Sequence, residues 1–470
     1  MLTYKKLLFD QLTPITIFAK LQKHFKGELS FLFESAINNE EGNFSFLFIG
    51  ARERIIHKDA KSYHIDENGT TNEIEKNPFT FLKKRYATLD KEVYKKHSQE
   101  LGVGFVDGFI GYVGYDAVKI FEPRLKSHMD HLQNDIHIPD LDLMRPKLVC
   151  TFSHKSNTLT LLTFVDEMAV QLDSIEKLLK EPHLYIPIQT SVVDKTKGTF
   201  AFTKEKFFEM VEASKEMIRS GDVFQILMSN RFTQYAHIDK LSFYRVLRQK
   251  NPSPYMFYLA YPTFAIIGSS PEVMVGLKDG RIMLRPIAGT RKRGSTYEKD
   301  QAYEKEMLAD EKERAEHLML IDLGRNDLGR VAKVGSVKVK EMMRVERYSH
   351  VMHMVSDIEA VLDAKHDMFD LFAATFTAGT MTGTPKIRAM ELISDFEGIK
   401  RSFYSGAVGY FGFDGNMDSA IIIRTAYLDD EKIIFQAGAG IVADSIPELE
   451  YLEVTNKLGA MTSSLDDLKE

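Results

Sequence analysis

The apolar residues of this chain are parcelled into runs of strand length. FSFLFIGA, GFIGYVGYDA, KLVCTFSH and TLTLLTFV fall within the first 185 residues, and SHVMHMVSDIEAVL, SGAVGYFGF, SAIIIRTAYL and KIIFQAGAGIVA follow beyond residue 348. Bounded by polar, turn-rich spacers, such runs predict strands. Helical periodicity breaks in at a few places. Thr203 is placed as an N-cap, Phe207, Val211 and Ile218 recur at helical spacing, and Gly221 follows as a stop, which predicts a helix over 204–219. A second helix is expected from about Tyr303 to Leu323 and a third near Pro385 to Ile393. Helices and strands do not alternate regularly, so the fold class is α+β. The segment 181–199, with two prolines and a Lys-Thr-Lys-Gly run, marks a boundary: an N-terminal lobe over 1–185, a linker over 186–199 and a second region over 200–465.

No run approaches the ~18 apolar residues of a spanning helix. The N-terminal MLTYKKLLFDQLTPITIF places Asp10 inside its only apolar stretch and shows no small-residue cleavage site, so neither membrane insertion nor secretion is expected. Sixty-one Lys+Arg against 67 Asp+Glu give a formal net charge of -6 without a basic stripe, which argues against nucleic acid as a partner. A single cysteine, Cys150, forbids an intrachain disulfide, and its alternating apolar surroundings predict a buried, inert thiol. A cytoplasmic enzyme or binding protein remains.

Two pairs of glutamates carry a possible metal chemistry. Glu313 and Glu316 lie three apart in EKERAEHLML and share one helix face. In SIPELEYLEVTNKLGAM, Ser445 is expected as N-cap with Glu448 three residues on and Pro447 in the first turn, while Tyr451, Val454, Leu458 and Met461 form an apolar stripe beside Glu450, Glu453 and Lys457. Two such helices facing each other can hold a hard cation such as Mg2+, which suits oxygen ligands and keeps several waters. By pattern alone, helix glutamates are more often solvated surface.

Two glycine-rich stretches imitate nucleotide motifs and fail in context. GAGIVA, Gly438 to Ala443, fits G-x-G-x-x-A, but Pro447 intervenes and only a short C-terminal helix follows, where a dinucleotide fold needs a βαβ unit. GTMTGTPK, Gly379 to Lys386, has Pro385 before its lysine and Ile387 after it, where a phosphate loop needs Gly-Lys-Ser/Thr. Both are expected as tight turns, or as places where backbone amides approach an anion.

Taken in order, FLFESA, GFIGYVGYD, GDVFQILMS, NPSPYMFYL, SSPEVMV, PIAGTRKRG, EHLMLIDLGRNDLGRV, VMHMVS, AGTMTGTPKIRAM, SGAVGYFGF, IIIRTA and QAGAGIVADS with the helix after it resemble the large, chorismate-binding subunits of anthranilate synthases over nearly the whole chain. The resemblance implies two packed antiparallel β-sheets flanked by helices. It also implies a reaction, conversion of chorismate to anthranilate and pyruvate through an aminated intermediate. Mg2+ is the implied cofactor, and ammonia comes from a separate glutamine amidotransferase subunit, so a hetero-oligomer is expected; no credible amidotransferase module is present in the chain itself.

Carried over by motif, Glu316 and Glu453 are the expected direct Mg2+ ligands, with Glu313 and Glu450 supporting them. Arg424 is expected to clasp a chorismate carboxylate. Gly438, Ala439 and Gly440, with Gly289 and Thr290, line the rest of the substrate site, joined by Tyr404, Thr380 and Lys457. Glu272 matches the general acid that protonates the departing ring hydroxyl, and His353 the base that removes a ring proton before pyruvate leaves.

Branch choice rests on two positions. Water-adding relatives place a lysine where Gln225 stands, and para-aminating aminodeoxychorismate synthases carry a lysine nucleophile where Ala288 stands; neither amine is present here, which points to ortho amination. Glu34 and Ser35 of FES, with Pro254, Tyr255 and Met256 of NPSPYM, resemble a feedback site for L-tryptophan, which makes the chain part of tryptophan biosynthesis. Alternatives are aminodeoxychorismate synthase and a nonenzymatic tryptophan-sensing homologue. Thr382, Thr384 and Ile446 depart from the usual pattern of these motifs without removing a chemical group assigned above.

Overall fold

Successive side chains of a strand point to opposite faces, and in several long strands of this protein, such as Leu141–Ser153 and Lys432–Ile441, both faces are buried. Phe31 and Leu32, Leu47 and Phe48, Leu259 and Tyr258, and Ile434 and Phe435 each send one ring or chain to one core and its neighbour to a second. This explains the apolar runs without a polar alternation. In the computed structural model, residues 1–35, 44–182, 185–194, 198–347 and 351–468 are described. Ala36 of FLFESA, parts of the expected linker, and Ser349 and His350 at the head of one expected strand lie outside them.

The strands pair antiparallel in two arms. One arm runs Thr3–Leu8, Thr158–Thr163, Leu141–Ser153, Phe44–Lys58, Ser30–Glu34, Tyr255–Ala260, Ala265–Ser270, Thr425–Leu428, Lys432–Ile441 and Gln225–His237. The other leaves Leu141–Ser153 through Gly108–Val113, Ala407–Gly412, Met417–Ile421, Val273–Lys278, Arg281–Leu284 and Val351–Val361, the last flanked by Ile287–Lys292 and Lys338–Arg347. The first core lies where the arms pack, with the Phe48 and Phe105 rings 5.4 Å apart and Phe46 and Tyr410 6.3 Å apart. The second lies under helices that include Lys204–Arg219, Lys240–Lys250, Lys386–Glu397 and Pro447–Asp466. This is the expected α+β architecture. Strand pairs Ser30–Glu34 with Tyr255–Ala260 and Gly108–Val113 with Ala407–Gly412 cross the expected lobe boundary.

The helix Lys204–Arg219 forms as its sequence predicts. The Thr203 hydroxyl accepts from the Lys206 amide at 3.2 Å, and Phe207, Met210, Val211 and Ser214 face the core. Phe207 packs on Tyr451 with ring centroids 5.7 Å apart, tying this helix to Pro447–Asp466; truncation to alanine there costs about 3–5 kcal/mol. Cys150 is buried and burial pushes its thiol pKa well above the ordinary value, so it is inert as expected. Among the described residues no helix is long and apolar enough to cross a membrane.

Three expectations need correction. The helix expected from Tyr303 to Leu323 is two, Tyr297–Ala309 and Glu311–Gly329, divided at Asp310. Asp310 is extended and its carboxylate accepts from the Lys312 and Glu313 amides at 3.0 and 3.1 Å, so a new cap competes successfully with continuation. SAIIIRTAYL is not one strand: Met417–Ile421 and Thr425–Leu428 are separated by residues 422–424, where Arg424 has φ 49. Ser445 does not cap the last helix, whose N-cap is Ile446 with Pro447 following. Its hydroxyl instead accepts from the Val442 amide at 3.1 Å.

Candidate active site

The chain passes from one arm to the other twice, side by side. Ala265–Ser270 belongs to the first arm and Val273–Lys278 to the second, with Pro271 and Glu272 between; Met417–Ile421 belongs to the second and Thr425–Leu428 to the first, with Arg424 between. Backbone bonds lock the crossings together. The Ile421 amide donates to the Glu272 carbonyl at 3.0 Å, and the Ser269 amide donates to the Arg424 carbonyl at 3.1 Å. Strand termini cannot continue the ladder at such a seam, so side chains of several elements meet there.

Glu272 is buried with little compensation. The Thr380 hydroxyl donates to its Oε1 at 2.9 Å, and burial pushes its pKa up to about 7, against the opposing pull of Thr380, Arg424 and Lys457. The group therefore holds a proton close to neutral pH. It also lines a small cleft together with Arg285, Leu320, Gly324 and Thr380. His353, on Val351–Val361, is likewise buried, and burial lowers its pKa, helped by the Arg424 charge. Its Nδ1 lies 3.1 Å from the Gly289 carbonyl and 3.0 Å from the Thr290 hydroxyl. Because a carbonyl only accepts, the proton sits on Nδ1 and the basic lone pair on Nε2.

Glycine is required where the backbone must come close. A methyl group on Gly438 would lie 2.6 Å from Leu227 Cδ2, 2.8 Å from the Met228 carbonyl and 3.1 Å from the Tyr404 hydroxyl. On Gly440 it would meet the Gln225 amide nitrogen at 2.5 Å. Thus Tyr404 and Gln225 lean over the backbone of Gly438, Ala439 and Gly440, while the Lys457 ammonium donates to the Gly438 carbonyl at 2.9 Å. GAGIVA begins inside the strand Lys432–Ile441 and opens no helix, and Lys386 of GTMTGTPK pairs with Asp327 at 2.5 Å. Neither stretch is a nucleotide loop.

The glutamates sit on the two expected helices, Glu313 and Glu316 on Glu311–Gly329, Glu450 and Glu453 on Pro447–Asp466. Burial raises the Glu316 pKa, and the charges of Glu313 and Glu453 raise it further, while the Gln225 amide donates to its Oε1 at 3.2 Å. Burial and the Glu453 charge also raise Glu450, despite a bond to Ser445. Glu313 is paired with Arg291 at 2.9 Å and Glu453 with Lys457 at 2.7 Å. The two helices therefore do bring their negative charges together. Among the described residues, however, no three acidic, histidine or cysteine side chains close on one point. All four are carboxylates, the oxygen donor type that a hard cation such as Mg2+ takes alongside retained waters.

A second buried carboxylate lies farther along the first arm. Glu34 ends Ser30–Glu34 directly opposite Met256. The Tyr244 hydroxyl donates to its Oε2 at 2.6 Å and Arg248 Nε at 3.2 Å, while burial raises its pKa. An ammonium group binding at this carboxylate has to compete with Arg248. Ser35 follows, and because Glu34 pairs with Met256 across the two strands, the FES and NPSPYM segments are neighbours.

Sequence reasoning missed the support beneath the site. Arg401 is almost fully buried, forks onto Glu397, and donates to the carbonyls of Met381 and Leu227 at 2.9 and 2.8 Å, stacking its guanidinium 5.8 Å from the Tyr404 ring centre. The signal was the i,i+4 spacing of Glu397 and Arg401 across Gly398.

Comparison with known proteins accounts for this assembly. The family model for chorismate binding enzymes matches residues 30–463. Anthranilate synthase component 1 of Aquifex aeolicus is 42% identical over 99% of this chain and 95% of its own, and that of Thermus thermophilus is 38% identical over 98% and 97%. The crystal structure of anthranilate synthase component I from Streptococcus pneumoniae superposes with a TM-score of 0.77 at 34% identity, covering 91% of this chain and 93% of that one. The menaquinone-specific isochorismate synthase of Escherichia coli shares the fold, with a TM-score of 0.72 at 17% identity. The chain belongs to the chorismate binding enzyme family, among its anthranilate synthase component 1 members.

Proposed function

We propose that the protein is the large subunit of an anthranilate synthase, a lyase that aminates chorismate with ammonia and then eliminates pyruvate to give anthranilate. The observation that carries this reading is Glu272, a buried carboxyl with its pKa near 7, hydrogen-bonded to Thr380 and facing the charges of Arg424 and Lys457. In the first step ammonia forms the new C–N bond while the ring hydroxyl leaves as water, taking the Glu272 proton. In the second, His353 Nε2 accepts a ring proton as the C–O bond to the side chain breaks, and the departing enolpyruvate takes up a proton to become pyruvate. Its Nδ1–H, fixed on Gly289, holds the ring in the basic tautomer. Arg424 and Lys457 meet substrate carboxylates, and Gly289, Thr290, Tyr404 and the Gly438–Gly440 backbone shape the pocket. Mg2+ held by Glu316 and Glu453, with Glu313 and Glu450 behind them, would neutralise a carboxylate of the substrate.

Ortho amination is supported by two side chains. Gln225 is engaged with Glu316 and has no basic nitrogen to activate water, and Ala288, opposite Met354 on the neighbouring strand, offers no amine to form a covalent intermediate. Ammonia comes from a glutamine amidotransferase partner. L-Tryptophan inhibits by binding between Glu34–Ser35 and Pro254–Met256. The test mixes the purified chain with chorismate, Mg2+ and an ammonium salt, and follows anthranilate fluorescence with and without chelator and tryptophan. Anthranilate that requires Mg2+ supports the reading; a para-aminated product, or unreacted chorismate with folded protein, overturns it.

A further inference from the structure

Met256 stands opposite Glu34 on one side and opposite Ser269 on the other. Glu34, Met256 and Ser269 thus form one row across three adjacent strands, and the row continues through the bond from the Ser269 amide to the Arg424 carbonyl. Neighbouring strands are about 4.8 Å apart, so the row joins the proposed regulatory segment to the proposed substrate clasp within a few side-chain lengths. Ser269 is fully buried, and its hydroxyl faces the regulatory side. It donates to the carbonyl of Asn251 and lies 2.9 Å from the Ser253 hydroxyl, both in the turn that leads into Pro254, Tyr255 and Met256.

One residue therefore holds the 251–256 wall by its side chain and the backbone of Arg424 by its amide. Arg424 is poised to respond, because its φ of 49 puts it in a region that L residues other than asparagine and aspartate rarely adopt. A second link runs parallel: the Tyr255 hydroxyl bonds Asp418, on the strand that ends just before the Arg424 crossing.

We propose that Ser269 is the positioning residue that couples the two sites: a ligand that moves the 251–256 turn pulls the Ser269 hydroxyl, shifts the end of Ala265–Ser270, and withdraws Arg424 from its substrate carboxylate. This rests on tryptophan binding at Glu34–Met256. Coupling of this kind is reciprocal, so chorismate must weaken tryptophan binding by the same factor as tryptophan weakens chorismate binding.

The chain contains no tryptophan, so the ligand's own indole fluorescence reports its binding directly, without a protein background at wavelengths beyond tyrosine absorption. The experiment measures tryptophan affinity with and without chorismate, and the inhibition of ammonia-dependent activity, in the parent, in Ser269→Ala and in Ser253→Ala. The parent is expected to bind tryptophan at least tenfold more weakly when saturated with chorismate. In Ser269→Ala, tryptophan still binds but the two ligands no longer oppose each other, and inhibition weakens at least tenfold; Ser253→Ala shifts in the same direction by less. Should Ser269→Ala fail to fold, the Ser253→Ala shift decides. Unchanged coupling in the folded variants overturns the role of Ser269 and leaves the regulatory site standing. Absence of tryptophan binding to the parent overturns both.

Discussion

Glu34 and Glu272 are two buried glutamates on one network of strands, and burial is the largest influence on both, raising each pKa. What separates them is their company. Glu34 meets a phenol and a guanidinium at fixed distances, so its carboxylate is held as a strut between Ser30–Glu34 and Lys240–Lys250. Glu272 has one hydroxyl donor and two cations acting from farther off, on groups that the proposed substrate would itself engage. Desolvation alone does not make a proton donor. A carboxyl becomes one when its partners leave the proton free to be exchanged.

The contrast can be broken most decisively at Glu272. Glu272→Gln is expected to lower kcat for anthranilate formation by about 10³-fold, within the range for losing a general acid, with little change in fold by circular dichroism. Glu450→Gln, which removes one supporting carboxylate, is expected to raise the Mg2+ concentration for half-maximal activity by about 10–100-fold, read by titrating metal into chelator-treated protein. Glu34→Gln should leave basal activity in place, cost about 1–3 kcal/mol in a denaturant titration because Arg248 loses its charged partner, and weaken tryptophan inhibition.

A further test is in pH. The proton on Glu272 is needed, so activity at fixed free ammonia should fall as pH rises through about 7, and the Glu272→Gln variant should lose that limb. Stability carries the matching sign. Between the ordinary value of 4.5 and about 7 the unfolded chain ionises while the folded one keeps the proton, so folding loses on the order of 3 kcal/mol across that window. Above pH 7 Glu272→Gln should therefore melt higher than the parent.

Local signals were legible where one rule dominated. Thr203 and the Phe207, Val211 spacing located Lys204–Arg219 to the residue, and two-sided apolar runs located the strands of both cores. Where two rules competed, pattern failed. Asp310 fits a helix interior by charge spacing but acts as a cap, and Ile421, Ile422 and Ile423 look like continuous strand although the chain turns there to cross between arms. The glutamate pairs were visible as helix faces, yet nothing in a 3.6-residue period says that two such faces meet. That required the family resemblance, and the mutual effects of Glu316, Glu313, Glu453 and Glu450 show the meeting. Arg401, buried under Tyr404, had no apolar pattern to announce it.

The paired crossings at Glu272 and Arg424 carry a consequence for how the molecule is made. Neither arm contains a complete site, and the backbone bonds that close the seam, Ser269 to Arg424 and Ile421 to Glu272, join residues about 150 positions apart. Contacts of such long sequence separation form late, after loop closure over much of the chain. During refolding from denaturant, helix and strand signals should return first and chorismate turnover last. Turnover then reports the completed assembly of the whole chain, and a truncated or half-folded product would have no partial catalysis to offer.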